Sequence, residues 1–271
     1  ICYQAFYNNN ITTLSFDSGS DLSSIGQYAF YKNDISSLEI PNSVTTIEEG
    51  AFQENDMSSL TFEDDSSLSI IGNGAFSFND ISYLEIPKSV TSINETAFGD
   101  NSITTLNFEN NSSLLSIGEG AFDDNSINSL EIPKSVETIE MGAFSFNSIT
   151  TLSFESDSSL SRIDKLAFSD NSINSLTIPN SVQTIGIHAF FNNITLSEVT
   201  LPYDLSNRVS DIFSNSPSIT YSLVIQDGVT TIESNKYEDA SLVSVFIPNS
   251  VTDIEPFAFY NNNITALNIP N

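Results

Sequence analysis

Residues 40–62 read IPNSVTTIEEGAFQENDMSSLTF, and residues 63–86 continue EDDSSLSIIGNGAFSFNDISYLEI, so the second segment is a variant of the first. The shared Ala-Phe pair recurs along the chain, ending at Phe6, Phe30, Phe52, Phe76, Phe98, Phe122, Phe144, Phe168 and Phe190. Its steps alternate between 24 and 22 residues. The aromatic series continues through Phe213 and Tyr237 to Phe259, which makes twelve coils of about 23 residues and a higher-order period of 46. A regular period of this length means that each unit cannot bury its apolar face alone and must stack on its neighbours.

Two coil types alternate. The shorter begins Ile-Pro-x-Ser-Val, as at 40–44, 86–90, 132–136, 178–182 and 247–251. The longer begins with Phe and an acidic residue and reaches Leu six positions later, as at 16–22, 62–68, 108–114 and 154–160. Leu38 and Ile40 alternate with Glu39, a period-two pattern that predicts one short strand per coil with a buried face. Pro41 ends that strand because it has no N–H to donate. Stacking at the strand spacing of about 4.8 Å predicts one continuous parallel sheet over a core column of Phe30, Phe52, Phe76 and their equivalents.

An Asn lies three residues after the core aromatic in ten of the twelve coils: Asn9, Asn33, Asn55, Asn79, Asn101, Asn125, Asn147, Asn171, Asn193 and Asn262. A carboxamide row of this kind reads first as a device for satisfying backbone groups of its own turn and the next.

These motifs, Ile-Pro-x-Ser-Val-x-x-Ile-x-x-x-Ala-Phe followed by x-x-Asn-x-Ile-x-x-Leu, resemble the BspA-like subclass of leucine-rich-repeat proteins over nearly the whole chain. The resemblance implies a right-handed, mainly β solenoid borne on a secreted or surface-anchored protein, with anchor and signal outside this segment. Family members usually carry Cys where this chain has Asn33 and Asn55. Members with assigned roles are mostly adhesins, so the resemblance implies binding to extracellular proteins or glycans.

The sequence begins inside a coil, since residues 1–6 match 25–30, and stops at the start of another. This predicts a single solenoid over 1–271, part of a longer array with some tendency to associate end to end. The stretch 194–246 is the least regular: Leu201-Pro-Tyr-Asp-Leu205 replaces Ile-Pro-x-Ser-Val, and Tyr237 replaces Phe.

With 35 acidic and 7 basic residues, the chain has a net charge of −28, which disfavours nucleic acid and anionic lipid as partners. A single cysteine, Cys2, excludes an internal disulfide. There is no apolar run long enough to cross a membrane. His188 is the only histidine, and no nucleophile, phosphate-loop or metal-ligand motif accompanies it, so the chain does not read as an enzyme.

Binding candidates are Glu39, Glu85 and Glu131 on the outward strand row, and Tyr203, Tyr221, Val224 and Phe246 in the irregular coils. The last two are expected either to continue the Glu39 row and form an exposed apolar patch beside Tyr221, or to be buried by a slip of register. No cofactor is implied apart from Ca2+, for which the acidic turns supply the candidate ligands Asp17, Asp21, Glu63, Asp64, Asp65, Glu109, Glu155 and Asp157. These turns lack the Asp-x-Asp spacing and the Gly of calcium loops. The competing function class is a structural spacer or self-associating array with no ligand of its own.

Overall fold

The computed structural model describes residues 1–17, 19–202, 209–216 and 219–269. Among these the chain is a parallel β-solenoid whose one α-helical segment is the single turn Val209–Ile212. No described helix is long and apolar enough to cross a membrane.

Each regular coil between Ser24 and Thr177 carries two strands, where the alternation pattern predicted one. The longer strands are those expected, for example Ser37–Ile40 and Ser59–Phe62, paired in parallel with Leu38 opposite Leu60. Their inward residues are the predicted Leu and Ile. The second set has only two residues each, running from Ser24–Ile25 to Thr184–Ile185, and forms an eight-stranded sheet. The continuous sheet is therefore made by the shorter strands.

The longer strands are split into pairs by proline. Within a pair, the N–H of Glu63 donates to the carbonyl of Ile40 at 3.0 Å, and Glu109 and Glu155 repeat this bond to Ile86 and Ile132. At the next junction the equivalent donor is Pro87, Pro133 or Pro179, which has no N–H. The ladder lapses there, so Ser37–Ile40, Tyr83–Ile86 and Ser129–Ile132 each pair only with the coil that follows. The two extra residues of the longer coil lie in the acidic turn: eight positions separate Phe62 from Ile70, but six separate Ile40 from Thr46.

The interior is the predicted aromatic column. Phe30 and Phe52 stack with centroids 5.2 Å apart and planes 1° apart, and the same contact repeats to Phe190 and on to Phe213. Tyr237 stacks on Phe259 at 5.2 Å. Buried apolar residues form one cluster from Ile25 to Phe213 and a second from Leu223 to Ala258, and Tyr221 packs against both.

From Asn33 to Asn193 the Asn row does what its position suggested, once per coil. In Asn125, Oδ1 accepts the N–H of Ile103 at 2.9 Å while Nδ2 donates to the carbonyls of Phe98 and Phe122. One carboxamide thus satisfies its own coil and the preceding one. Asn33, Asn55, Asn79, Asn171 and Asn193 repeat the arrangement and are buried.

Except before Phe213, the turn leading to each core ring passes through the left-handed region two residues before it. Gly50, Gly74, Gly120 and Gly142 occupy that place in four coils, but Thr96 sits there with φ 50°. A β-branched residue is strained in this region by about 1–2 kcal/mol, and glycine is not. Thr96→Gly is therefore expected to raise stability by about 0.5–1 kcal/mol, after subtracting glycine's larger unfolded-state entropy. Thermal melting of the variant checks this; a lower melting temperature would show that the Thr96 side chain is packed to advantage.

Candidate functional site

Two surfaces hold the candidate residues: the outward face of the longer strands and the irregular coils. On the first, Glu39, Glu85 and Glu131 are exposed, as alternation with buried Leu and Ile requires. Their neighbours in the row are Thr61, Asn107 and Ser153, so the face is polar and acidic.

In the irregular coils the strands lengthen to five residues, Glu198–Pro202, Thr220–Val224 and Leu242–Phe246. They belong to a continuous five-stranded sheet that begins at Ser175–Thr177 and ends at Ala266–Asn268. This changes the expected register. The row continuing Glu39 runs through Thr200, Ser222 and Ser244, and not through Val224 and Phe246. Val224 and Phe246 lie two residues further along, opposite Pro202, where regular strands have already ended. A shift of two keeps the outward face. Phe246 is accordingly 56% exposed and Val224 half-buried. The two border a groove of about 550 Å³ with Gln226, Asp227, Pro248 and Asn180.

Tyr221 differs from the expectation of a surface anchor. Its ring meets Phe213 at 6.0 Å and touches both apolar clusters, and burial pushes its hydroxyl up to about 12. It is a joint between the two halves of the core. It is in register with Leu176 and Val199, at the position Leu38 takes in a regular coil, so alternation with Ser222 turns it inward. Tyr203, together with Arg208, lies outside the described residues.

The acidic turns use their side chains locally. Oε2 of Glu63, Glu109 and Glu155 accepts the backbone N–H of Asn42, Lys88 and Lys134, respectively, at 2.9–3.0 Å. Each carboxylate thus ties its coil to the Ile-Pro turn before it. Asp65 and Asp157 adopt φ near +57°, in the place where Gly19 and Asn111 do the same, so the turn selects residues that tolerate the left-handed region. Asp17, Asp21 and Asp64 are exposed. Among the described residues no three acidic, Cys or His side chains converge. The sequence signal for this tying role was the fixed Phe-acid pair, whose carboxylates were read above as candidate Ca2+ ligands.

A second acidic feature is the ridge at the turn after the core Phe. Burial and the neighbouring Asp124 raise the carboxyls of both Asp100 and Asp123. His188 is half-buried, with Nδ1 2.5 Å from Ser214 Oγ and its ring edge-on to Phe191. No described carboxylate bonds to its other nitrogen, so the pair lacks the orienting third member of a hydrolytic triad.

The chain was compared with known proteins. It matches the model of the BspA type leucine rich repeat region in overlapping segments covering 1–116, 69–172, 107–220 and 161–271. Similar solved structures include a leucine-rich repeat protein from Bacteroides ovatus, 20% identical, with a TM-score of 0.52 over 97% of this chain and 74% of that one. The pneumococcal vaccine antigen PcpA is 19% identical, with a TM-score of 0.50 over 90% of this chain and 75% of that one. A leucine-rich cell surface protein from Faecalibacterium prausnitzii is 24% identical, with a TM-score of 0.41 over 89% and 82%. No curated protein matches the chain by sequence. Repeat by repeat, from the Phe column to the Ile-Pro turns, this chain belongs to the BspA-type leucine-rich-repeat family.

Proposed function

We propose that this chain is the binding module of a secreted or surface-displayed adhesin, presenting its long-strand face and irregular coils to an extracellular protein or glycan. The observation that carries this reading is the contrast within one face. Apart from Tyr83, regular coils keep small polar or acidic residues outward on their long strands, and the irregular coils lengthen their strands to set Phe246 into solvent beside a groove. An exposed ring that contributes nothing to the core is the kind of residue that anchors a partner. The similarity to a protein described as a vaccine antigen supports the surface location. The family's usual role as an interaction module supports a non-enzymatic role. The net charge of −28 favours neutral or basic partners over nucleic acid and anionic membranes.

Phe246→Ser tests this reading. In a binding screen against extracellular-matrix proteins and glycans, with and without calcium, the parent chain is expected to bind at least one component saturably. Loss of the ring is expected to weaken that binding by about 1–3 kcal/mol while the melting temperature holds. Tyr221→Ser serves as the contrast: it loses stability first, because Tyr221 joins the two core clusters. A chain that binds nothing saturably and forms filaments would instead be a spacer or self-associating array.

A further inference from the structure

The turns that lead from the core Phe toward the long strands carry two rings that the core does not use. The residue two places after the core ring adopts the left-handed conformation in coil after coil, and it is usually polar, as at Glu54, Asp100, Asp124 and Asp170. At Phe78 and Phe146 it is phenylalanine, with φ 55° and 50°. These rings are 51% and 58% exposed. A large side chain is strained in that region, and an exposed ring gains little from burial, so the fold does not account for either residue.

Between the two rings the ridge is acidic. The N–H of Phe78 donates to the carbonyl of Gly99 at 3.1 Å, that of Asp100 to Asp123 at 3.0 Å, and that of Asp124 to Ser145 at 3.2 Å. Phe78, Asp100, Asp124 and Phe146 therefore stand in line, one per coil. Asp100 and Asp124 are exposed. Burial raises the Asp100 carboxyl, and the charges that add to the effect are Asp124 and Asp123, with no cation to temper them. A partner that fits this line brings an apolar group at each end and positive charge between them.

The spacing selects the form of that partner. Phe78 and Phe146 are three coils apart, each coil rising between the strand spacing of about 4.8 Å and the ring step of 5.3–5.4 Å, which sets the two positions about 15–16 Å apart. In an extended chain about five residues span this distance, and an odd number turns the two side chains to opposite faces. In an α-helix eleven residues span about 16.5 Å in about three turns, so positions i and i+11 share a face with i+4 and i+7 between them. One helical turn then matches one coil: i meets Phe78, i+4 meets Asp100, i+7 meets Asp124 and i+11 meets Phe146.

We propose that this ridge docks a basic amphipathic α-helix on the surface of a partner protein, apolar at i and i+11 and Lys or Arg at i+4 and i+7. The helix is one already folded in its own protein, because a ridge this short offers too little contact to offset the ordering of a free peptide. The site is separate from the long-strand face and from Phe246, so it goes beyond the binding reading given above.

A hydrocarbon-stapled helix of about four turns, with Leu at i and i+11 and Lys at i+4 and i+7, is the probe, read by fluorescence anisotropy against the full chain. Binding is expected to be saturable and to weaken on the order of tenfold as salt screens the carboxylates. Phe78→Asn and Phe146→Asn install the residue that Asn192 places in the equivalent turn at φ 56°. Each is expected to weaken binding about tenfold or more while the melting temperature stays level or rises, since asparagine tolerates this conformation better. Asp100→Asn combined with Asp124→Asn is expected to remove most of the salt dependence. Phe246→Ser should leave this binding unchanged. Two control peptides, one stapled with its second Leu on the opposite face and one of the same composition broken by proline, should bind about tenfold more weakly or not at all. A stapled helix that does not bind overturns the proposal. So does equal binding of either control, binding that survives both Phe variants, or binding lost in Phe246→Ser. If the staple fails and a matrix component still binds through Phe246, the ridge proposal falls and the adhesion reading stands.

Discussion

Phe122→Ala is expected to lower the stability of the coils around it by about 3–5 kcal/mol, the largest effect of any single substitution in the regular part of the chain. The ring is fully buried, and it contacts Phe98 at 5.4 Å and Phe144 at 5.3 Å with planes within 8° of parallel. Alanine removes both stacking contacts at once and leaves a cavity between coils whose backbones are held apart by their own hydrogen bonds, so the site cannot collapse. A centroid spacing above 5 Å with parallel planes means that the rings are offset, the arrangement that aromatic quadrupoles favour. In a linear array the loss is local, because each coil meets only its neighbours. A single global unfolding energy is then a poor measure, and native-state hydrogen exchange is the better one. Amides of residues 98–144 are expected to lose protection while those near Phe30 keep theirs. Uniform loss along the chain, or a change below about 1 kcal/mol, would show that the column is not what couples the coils.

The aromatic column and the Asn row were legible in the sequence because both depend on one position repeated at a fixed interval, and a period survives ignorance of everything else. The sheets were less legible. Two-residue strands such as Thr46–Ile47 are too short to show alternation, so the sheet that runs through eight coils left almost no mark on the pattern. The broken ladder was in principle readable, since Pro41, Pro87 and Pro133 recur in every second coil, but proline was read only as the end of its own strand. Its effect on the preceding coil follows only when the coils are superposed. The site divides in the same way. Glu39, Glu85 and Glu131 were placed correctly because they alternate with Leu and Ile. Val224 and Phe246 were placed on the correct face but in the wrong row, because the strands here run two residues longer, to Pro202, Val224 and Phe246, without changing side. Tyr221 keeps the inward side of the Leu38 row, so alternation places it in the core once the row is traced through Leu176 and Val199.

Asn193 carries the second large prediction, because it separates two roles that the row combines. Its side chain is fully buried, Oδ1 accepts the N–H of Ile173 at 3.1 Å, and Nδ2 donates to the carbonyls of Phe168 and Phe190 at 2.9 and 3.1 Å. Asn193→Leu leaves one buried N–H without its acceptor and is expected to cost about 1–3 kcal/mol. Asn193→Asp keeps that acceptor but turns a carboxylate toward two carbonyls, so it is expected to be the worse substitution at neutral pH. The two variants should also respond differently to acid. Burial and the facing carbonyls raise the folded-state pKa of the new carboxyl above its unfolded value. The charge penalty is then absent below the unfolded pKa, grows as pH rises toward the folded pKa, and is complete above it. Relative to the parent chain, the Asp variant should therefore regain stability on acidification through that window, because the protonated carboxyl can donate to Phe168 or Phe190. The Leu variant has nothing to titrate and should show a flat difference. Chemical denaturation of all three proteins across this pH range decides the matter. A flat difference for the Asp variant would mean that water reaches the carboxamide row, and that the row holds the coils together by packing instead of by its hydrogen bonds.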